Sequence, residues 1–258
     1  MGQTARLSLQ PAFVLHQRPY RDSSLLLEVF NPEHGRFGLV ARGVKGKKQN
    51  RQALLQAFTP LLLSWSSRGE LGTLTDCELD GSAMQLQGAV LLSGFYLNEL
   101  LMYLLHRHDP HPDLYAYYRY TLDRLAQMKD TPAAAPELQI CLRYFEKRLL
   151  QEVGYAMVLE HDVESGEAVQ PDRYYRYVIG EGPIGGGVPG KANVFSGAAL
   201  LAYATERLDR SQSLRDAKRL SRALIDHYLG GKPLNSRKLM LDLQRNAEAA
   251  ELNKQTKE

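Results

Sequence analysis

The residues best suited to chemistry in this chain are cations. Arg36, Arg42, Lys45, Lys47, Lys48 and Arg51 fall in a stretch that contains no Asp or Glu, with Gly43 and Gly46 between them. Side chains clustered this way neutralise phosphates and release counterions from nucleic acid. The competing reading is a solvated, charged loop with no ligand. A second group, Arg215, Lys218, Arg219 and Arg222, is spaced i, i+3, i+4, i+7, which sets all four on one helix face. Taken alone, that pattern is an ordinary solvated face. A third, Arg143, Lys147 and Arg148, flanks Phe145. There, capture of a peptide carboxylate competes evenly with pairing to Glu146 or Glu152.

Other chemistries fail on their residue types. Gly185 to Lys191 has the glycine and lysine spacing of a P-loop, but Ala192 stands where a Ser or Thr is needed, and Pro189 lacks an N–H. His106, His108 and His111 surround a Pro-containing break with no cysteine nearby. No Ser-His-Asp order, paired-carboxylate motif or acidic metal-binding run stands out, so the chain reads as a non-enzyme with no cofactor and no metal.

The elements that must hold these cations follow from periodicity. From residue 11 to about 80 the pattern is β. Phe13–His16, Ser24–Phe30, Arg36–Arg42, Pro60–Trp65 and Leu71–Thr75 read as five short strands, with turn residues Asn31-Pro32-Glu33-His34-Gly35 closing a hairpin. Such a run suits a small closed barrel of the OB or SH3-like kind, and the basic stretch leaves its hairpin as a polar loop. Trp65 alternates with Leu61 and Leu63 and so points inward, whereas Tyr20 and Phe37 sit near turns where base stacking and core packing are both open to them. After Gly88 the period becomes helical. Three helices precede Gly154, which reads as a C-cap, and together they suggest a bundle. Residues 156 to 195 are polar, glycine-rich and irregular, with a short strand over Tyr174–Ile179. Helices return at Ser196, with Ser213 a candidate N-cap and Ser236 the start of a last short helix. The expected fold is α+β, with a barrel over 1–82 and a helical region over 83–258 that carries the insertion.

Composition sets the class. The chain has 258 residues, 44% hydrophobic and 24% charged, which is enough for one large core or two small ones. A net charge of +3 is mild, so local clustering matters more than the total. Two cysteines, Cys77 and Cys141, make no disulfide framework. Met1 to Arg6 lacks the apolar stretch of a secretory signal, and the apolar run Ala89 to Leu105 is broken by Asn98 and Glu99. The expectation is a cytoplasmic protein with no membrane segment.

In order and spacing, several segments resemble the RecO family of bacterial recombination mediators. They include Ala12-Phe13-Val14-Leu15-His16 with Arg18-Pro19, Leu39-Val40-Ala41-Arg42-Gly43, and Leu55-Gln56-Ala57-Phe58-Thr59-Pro60. Ser93-Gly94-Phe95-Tyr96-Leu97-Asn98-Glu99, Leu142-Arg143-Tyr144-Phe145-Glu146, and Tyr228-Leu229-Gly230-Gly231-Lys232-Pro233 continue the pattern to about Leu241. The resemblance implies an OB-fold, a helical domain and a small zinc-ribbon-like insertion. It also implies binding of single- and double-stranded DNA, strand annealing without nucleotide, and partnership with RecR and the single-stranded DNA-binding protein SSB in loading RecA, on the nucleoid. Residues 159 to 166 depart from the family pattern: they contain no cysteine, and Asp162 stands where the first would be. Zinc is therefore not carried over.

On this reading the barrel loop neutralises phosphates, Arg18 and Arg21 extend its surface, and Arg215, Lys218, Arg219 and Arg222 give a second contact. The acidic, Phe-terminated SSB tail is expected near Tyr96, Leu97, Arg143 and Phe145. The alternative is an adaptor whose basic surfaces meet acidic protein tails instead of DNA.

Overall fold

The computed structural model describes residues 5–44, 49–67, 69–243 and 245. The chain divides into two compact units, one formed by 1–130 with 234–258 and the other by 131–233. The expected boundary at 82/83 falls at the end of the barrel, inside the first unit.

In the first unit five strands close into a barrel of order β1-β2-β3-β5-β4, with β4 pairing back to β1. They are β1 (Ala5–Tyr20), β2 (Ser24–Asn31), β3 (Gly35–Ala41), β4 (Leu61–Ser67) and β5 (Leu71–Leu79). All pairings are antiparallel except β3 with β5, which is parallel and matches only Gly38–Val40 to Leu71–Thr73. This is the architecture of an OB-type barrel. β1 is far longer than the four residues legible as a strand, because it pairs with β4 over its first half and with β2 over its second. Register shifts at Leu7/Gln10 and Val14/His16 give it the bends that closure needs. Inward positions supply Leu27, Leu39, Leu61, Leu63 and Trp65, all essentially buried. Each such side chain contributes about 1.5–3 kcal/mol of apolar burial. Phe37, expected near a turn and available to a base, is core as well, 5.0 Å from the Trp65 ring.

Two polar devices fix the β2–β3 hairpin. The buried Asn31 amide donates to the Pro11 carbonyl, while its oxygen accepts from the N–H groups of Glu33 and His34. Gly35 has φ +64°, and a Cβ there would lie 2.0 Å from the Asp109 carbonyl oxygen, so both conformation and space require glycine. The stretch expected to be a loop after β3 contains a short helix, α1 (Gln49–Leu54).

The helices α2 (Gly88–Leu104) and α3 (Pro112–Gln127) pack on this barrel. Phe13 and Phe30 meet Tyr115 and Tyr118 at tilted or edge-on angles, with Phe13 and Tyr118 at 5.2 Å and 89°. Between them the Asn98 amide donates to the Leu15 carbonyl, and the Tyr118 hydroxyl donates to Asn98 Oδ1. Burial raises the Tyr118 phenol well above its ordinary pKa, so it serves as a neutral donor. The Glu99 carboxylate accepts from the N–H groups of Asn235 and Ser236 and from the Ser236 hydroxyl, opening a helical segment at 235–243.

The second unit holds α4 (Ala135–Glu152), a three-stranded sheet, α5 (Gly197–Ala204) and α6 (Ser211–Tyr228). The three helices read as one bundle are thus divided, two with the barrel and the third here. Gly154 follows α4 in the left-handed region, as its C-cap reading requires. The sheet, of order β7-β6-β8, comprises β6 (Tyr174–Val178), β7 (Gly182–Gly185) and β8 (Val194–Ser196). β6 is the short strand expected over Tyr174–Ile179, while β7 and β8 fall where the sequence reads as irregular. Ser196 Oγ caps α5 by accepting from the Ala199 N–H, whereas α6 begins before Ser213, which is buried.

Candidate nucleic-acid interface

On the barrel, the β1–β2 turn comes beside the end of β3 and the start of β5. The turn at Arg21–Ser23 places Arg21 at φ 53°, an uncommon conformation for a non-glycine residue. Its guanidinium lies 5.3 Å from the centre of the Tyr20 ring, a cation–π contact that holds the charge in place. Arg42 follows β3 and is exposed. These three residues line a polar cleft of about 420 Å³ with Ser23, Leu71 and Thr73. Among the described residues no carboxylate lines it. Arg18, also exposed, lies on β1 opposite Leu26. Among the described residues none of Arg18, Arg21 and Arg42 takes part in an ion pair.

The other barrel cations differ. Arg36 is not a loop residue but the second residue of β3, with only 13% of its side chain exposed. It pairs with Glu28 at 3.1 Å, and its Nε and Nη2 donate to the Leu105 carbonyl. Arg107 binds the other oxygen of Glu28. Burial lowers the Arg36 pKa from its usual value, and the Glu28 charge works against that shift. Its charge is spent inside the protein. Arg51 belongs to α1, and Lys45, Lys47 and Lys48 lie outside the described residues.

The helix stripe does share one side of α6, away from the buried Ala217, Leu220, Leu224 and Ile225. Its members are nevertheless engaged. Arg219 donates to the Val194 carbonyl at 2.5 Å, covers the Phe195 ring at 4.5 Å and pairs with Asp216 at 3.4 Å. Arg215 donates to Gln212. Lys218 and Arg222 have interactions of their own.

The four residues expected to receive the SSB tail are each buried, and they belong to different units. Tyr96 and Leu97 are buried on α2 of the first unit, and Arg143 and Phe145 are buried on α4 of the second. Arg143 pairs with Glu146 at 2.5 Å, and its carbonyl accepts from the Tyr203 hydroxyl. Lys147 closes the end of α5 by donating to the Tyr203 and Ala204 carbonyls. The pairing reading of that cluster is the one the structure contains.

The glycines at 185–187 leave β7 for a turn that leads into β8, so the phosphate-binding strand–loop–helix arrangement is missing from this stretch. Among the described residues no three His, Cys, Asp or Glu side chains gather as metal ligands, and no helix is long and apolar enough to cross a membrane. Asp162 instead accepts three backbone hydrogen bonds, from Glu164 and Ser165 at Oδ1 and from Gly185 at Oδ2. Sequence reasoning missed Glu28, Arg107, Leu71 and Thr73. Arg107, Leu71 and Thr73 lie far from their partners in the chain, and Leu71 and Thr73 reach the end of β3 only through the parallel β3–β5 pairing. Glu28, by contrast, meets Arg36 across the local β2–β3 hairpin.

Residues 6–83 match the family model for the Recombination protein O N terminal, and residues 86–238 match that for the Recombination protein O C terminal. The chain is 46% identical to DNA repair protein RecO of Methylococcus capsulatus, over 92% of this chain and 95% of the relative. It is 44% identical to DNA repair protein RecO of Azoarcus sp., over 94% and 99% of the two chains. DNA repair protein RecO of Coxiella burnetii is 42% identical over 92% of this chain and 99% of its own length. Two family models that together span the barrel and the region after it, with relatives aligned almost end to end, make this chain a member of the recombination protein O family.

Proposed function

We propose that this chain is a DNA repair and recombination mediator of the cytoplasm and nucleoid. It binds single- and double-stranded DNA, anneals complementary strands and acts with RecR and SSB to load RecA. The observation that carries this reading is the pair Arg21 and Arg42 in a carboxylate-free cleft on a closed OB-type barrel. Exposed cations beside an aromatic ring suit a phosphodiester strand crossing such a barrel. The basic run through Lys45, Lys47 and Lys48 follows Arg42 directly in the chain and adds to the local excess of positive charge in the sequence. The work is binding and alignment, with no covalent step and no cofactor. SSB contributes through its tail, at a surface other than the buried Tyr96, Leu97, Arg143 and Phe145. The test is annealing of complementary SSB-coated strands by the purified protein without ATP or magnesium. Acceleration by the wild type, lost when Lys45, Lys47 and Lys48 become alanine, is the expected result. Absence of oligonucleotide binding even at low salt would defeat the DNA reading.

A further inference from the structure

We infer that the cleft at the β1–β2 turn receives one unpaired nucleotide, which makes it the place where the barrel tells single strand from duplex. The inference rests on the DNA-binding reading above and adds to it the state of the base. The cleft's volume of about 420 Å³ falls among those of pockets for small ligands, about 300–1,000 Å³. Its lining is divided by chemistry. Arg21 and Arg42 provide two guanidiniums for a phosphate. Tyr20 supplies an aromatic surface and Leu71, 47% exposed at the edge of β5, an apolar one. Ser23 and Thr73 add hydroxyls that both donate and accept, as sugar and base edges require. Asp22 and Glu70 are neighbours in sequence but do not line the cleft, so no carboxylate within it repels a phosphate.

A cation-only groove serves duplex and single strand alike, since both present phosphates. A concave site with an apolar part is different. In a duplex the bases are paired and stacked, and withdrawing one costs a few kcal/mol before any contact is gained. In a single strand that cost is largely absent, and the base settles against Tyr20 and Leu71 while its phosphate meets Arg21 and Arg42. The contact of Arg21 with the Tyr20 ring fixes the guanidinium beforehand, so less order is lost on binding.

The experiment compares the full-length wild type with Tyr20→Ala, Leu71→Ala and Tyr20→Phe on three probes. These are a short oligothymidine, the same oligomer with abasic sites, and a duplex, with an acidic peptide as a fourth, control ligand. Tyr20→Ala is expected to weaken oligothymidine binding about tenfold, within the range for loss of a base stack. Leu71→Ala produces a smaller loss on the same probe, and Tyr20→Phe restores wild-type affinity. On the abasic oligomer the wild type itself is weaker, and Tyr20→Ala costs less than about twofold there, the part due to Arg21 losing the ring that orients it. On the duplex the change stays below about twofold. Equal losses on the intact and abasic strands, or on single strand and duplex, would overturn the inference while leaving DNA binding intact. Weakened binding of an acidic peptide with unchanged oligonucleotide affinity would overturn it in favour of a peptide site. A wild type that binds no oligonucleotide at low salt overturns both readings at once.

Discussion

The barrel rim and the α6 face carry cations at comparable density, yet the structure uses them in opposite ways. Arg18, Arg21 and Arg42 make no ion pair among the described residues, and two of them line a cleft without a carboxylate. On α6, Arg219 is tied to a carbonyl, an aromatic ring and an aspartate, and Arg215 to Gln212. The difference lies in the neighbours. A turn between strands carries its side chains past the edge of the sheet, where Arg21 meets the Tyr20 ring but no carboxylate among the described residues. The side of a packed helix holds them within reach of the next element. A run of positive charge is therefore a binding surface only where the fold provides no internal acceptor.

Arg36 tests that rule hardest, because it belongs to the barrel's basic stretch but behaves like α6. Arg36→Ala leaves Glu28 with Arg107 alone and removes two donors from the Leu105 carbonyl. Breaking such a mostly buried pair costs about 2–3 kcal/mol, below the range for full burial because part of the pair meets solvent. The melting temperature should fall by roughly 5–10 °C, with DNA affinity of the folded protein unchanged below the transition. Strong loss of DNA binding without a change in melting would break the comparison. The double substitution Arg21→Ala, Arg42→Ala is the converse. It should lower single-strand affinity roughly 10–100-fold and reduce the slope of log affinity against log salt by about 2, with little change in melting.

What the sequence reveals here depends on range. The five barrel strands are legible because alternation and turn residues are local, and Trp65 is correctly placed inward by its period with Leu61 and Leu63. The length of β1 is not, since one strand serves two partners and its second half carries exposed His16 and Arg18. Of the second unit's sheet only β6 is legible, as the short strand expected over Tyr174–Ile179, because β7 is short and glycine-rich and β8 is too short to alternate. For the site, charge marks the region but not the individual residues. Arg21 and Arg42 stand out from Arg36 only once β3 is paired with β5 and the loop after Leu104 supplies its carbonyl acceptor.

Asp162 extends the comparison from cations to an anion satisfied internally. Its carboxylate joins the turn at 164–165 to the end of β7 through three N–H donors. Burial alone would raise its pKa, but the amides of Ser165, Glu164 and Gly185 outweigh that and hold it below the ordinary value. Such a depressed carboxyl stabilises fully above the unfolded aspartate range near pH 4, and the contribution disappears as pH falls through the lower folded value. Asp162→Asn sets an NH₂ against one of these donors and should cost about 1–2 kcal/mol at neutral pH. The gap between variant and wild type should narrow on acidification below about pH 4. A gap independent of pH would mean that the charge is not what holds the turn.

The smallest effect comes from Arg219, and it bears most directly on the two basic surfaces. Its side chain is 45% exposed, so the ion pair with Asp216 is screened and contributes little. The lasting contacts are the Val194 carbonyl and the Phe195 ring, which link α6 to β8. Arg219→Ala should therefore destabilise the second unit by about 0.5–1 kcal/mol, chiefly through the lost cation–π contact. Hydrogen exchange should rise at Val194–Ser196 while duplex and single-strand affinities change less than about twofold. Arg219→Lys keeps the charge but not the planar group, and it should reproduce the exchange defect. If alanine instead lowers DNA affinity and lysine restores it without restoring protection, the charge itself faces phosphate. The α6 side would then be a second binding surface, and the line drawn between rim and helix would fall.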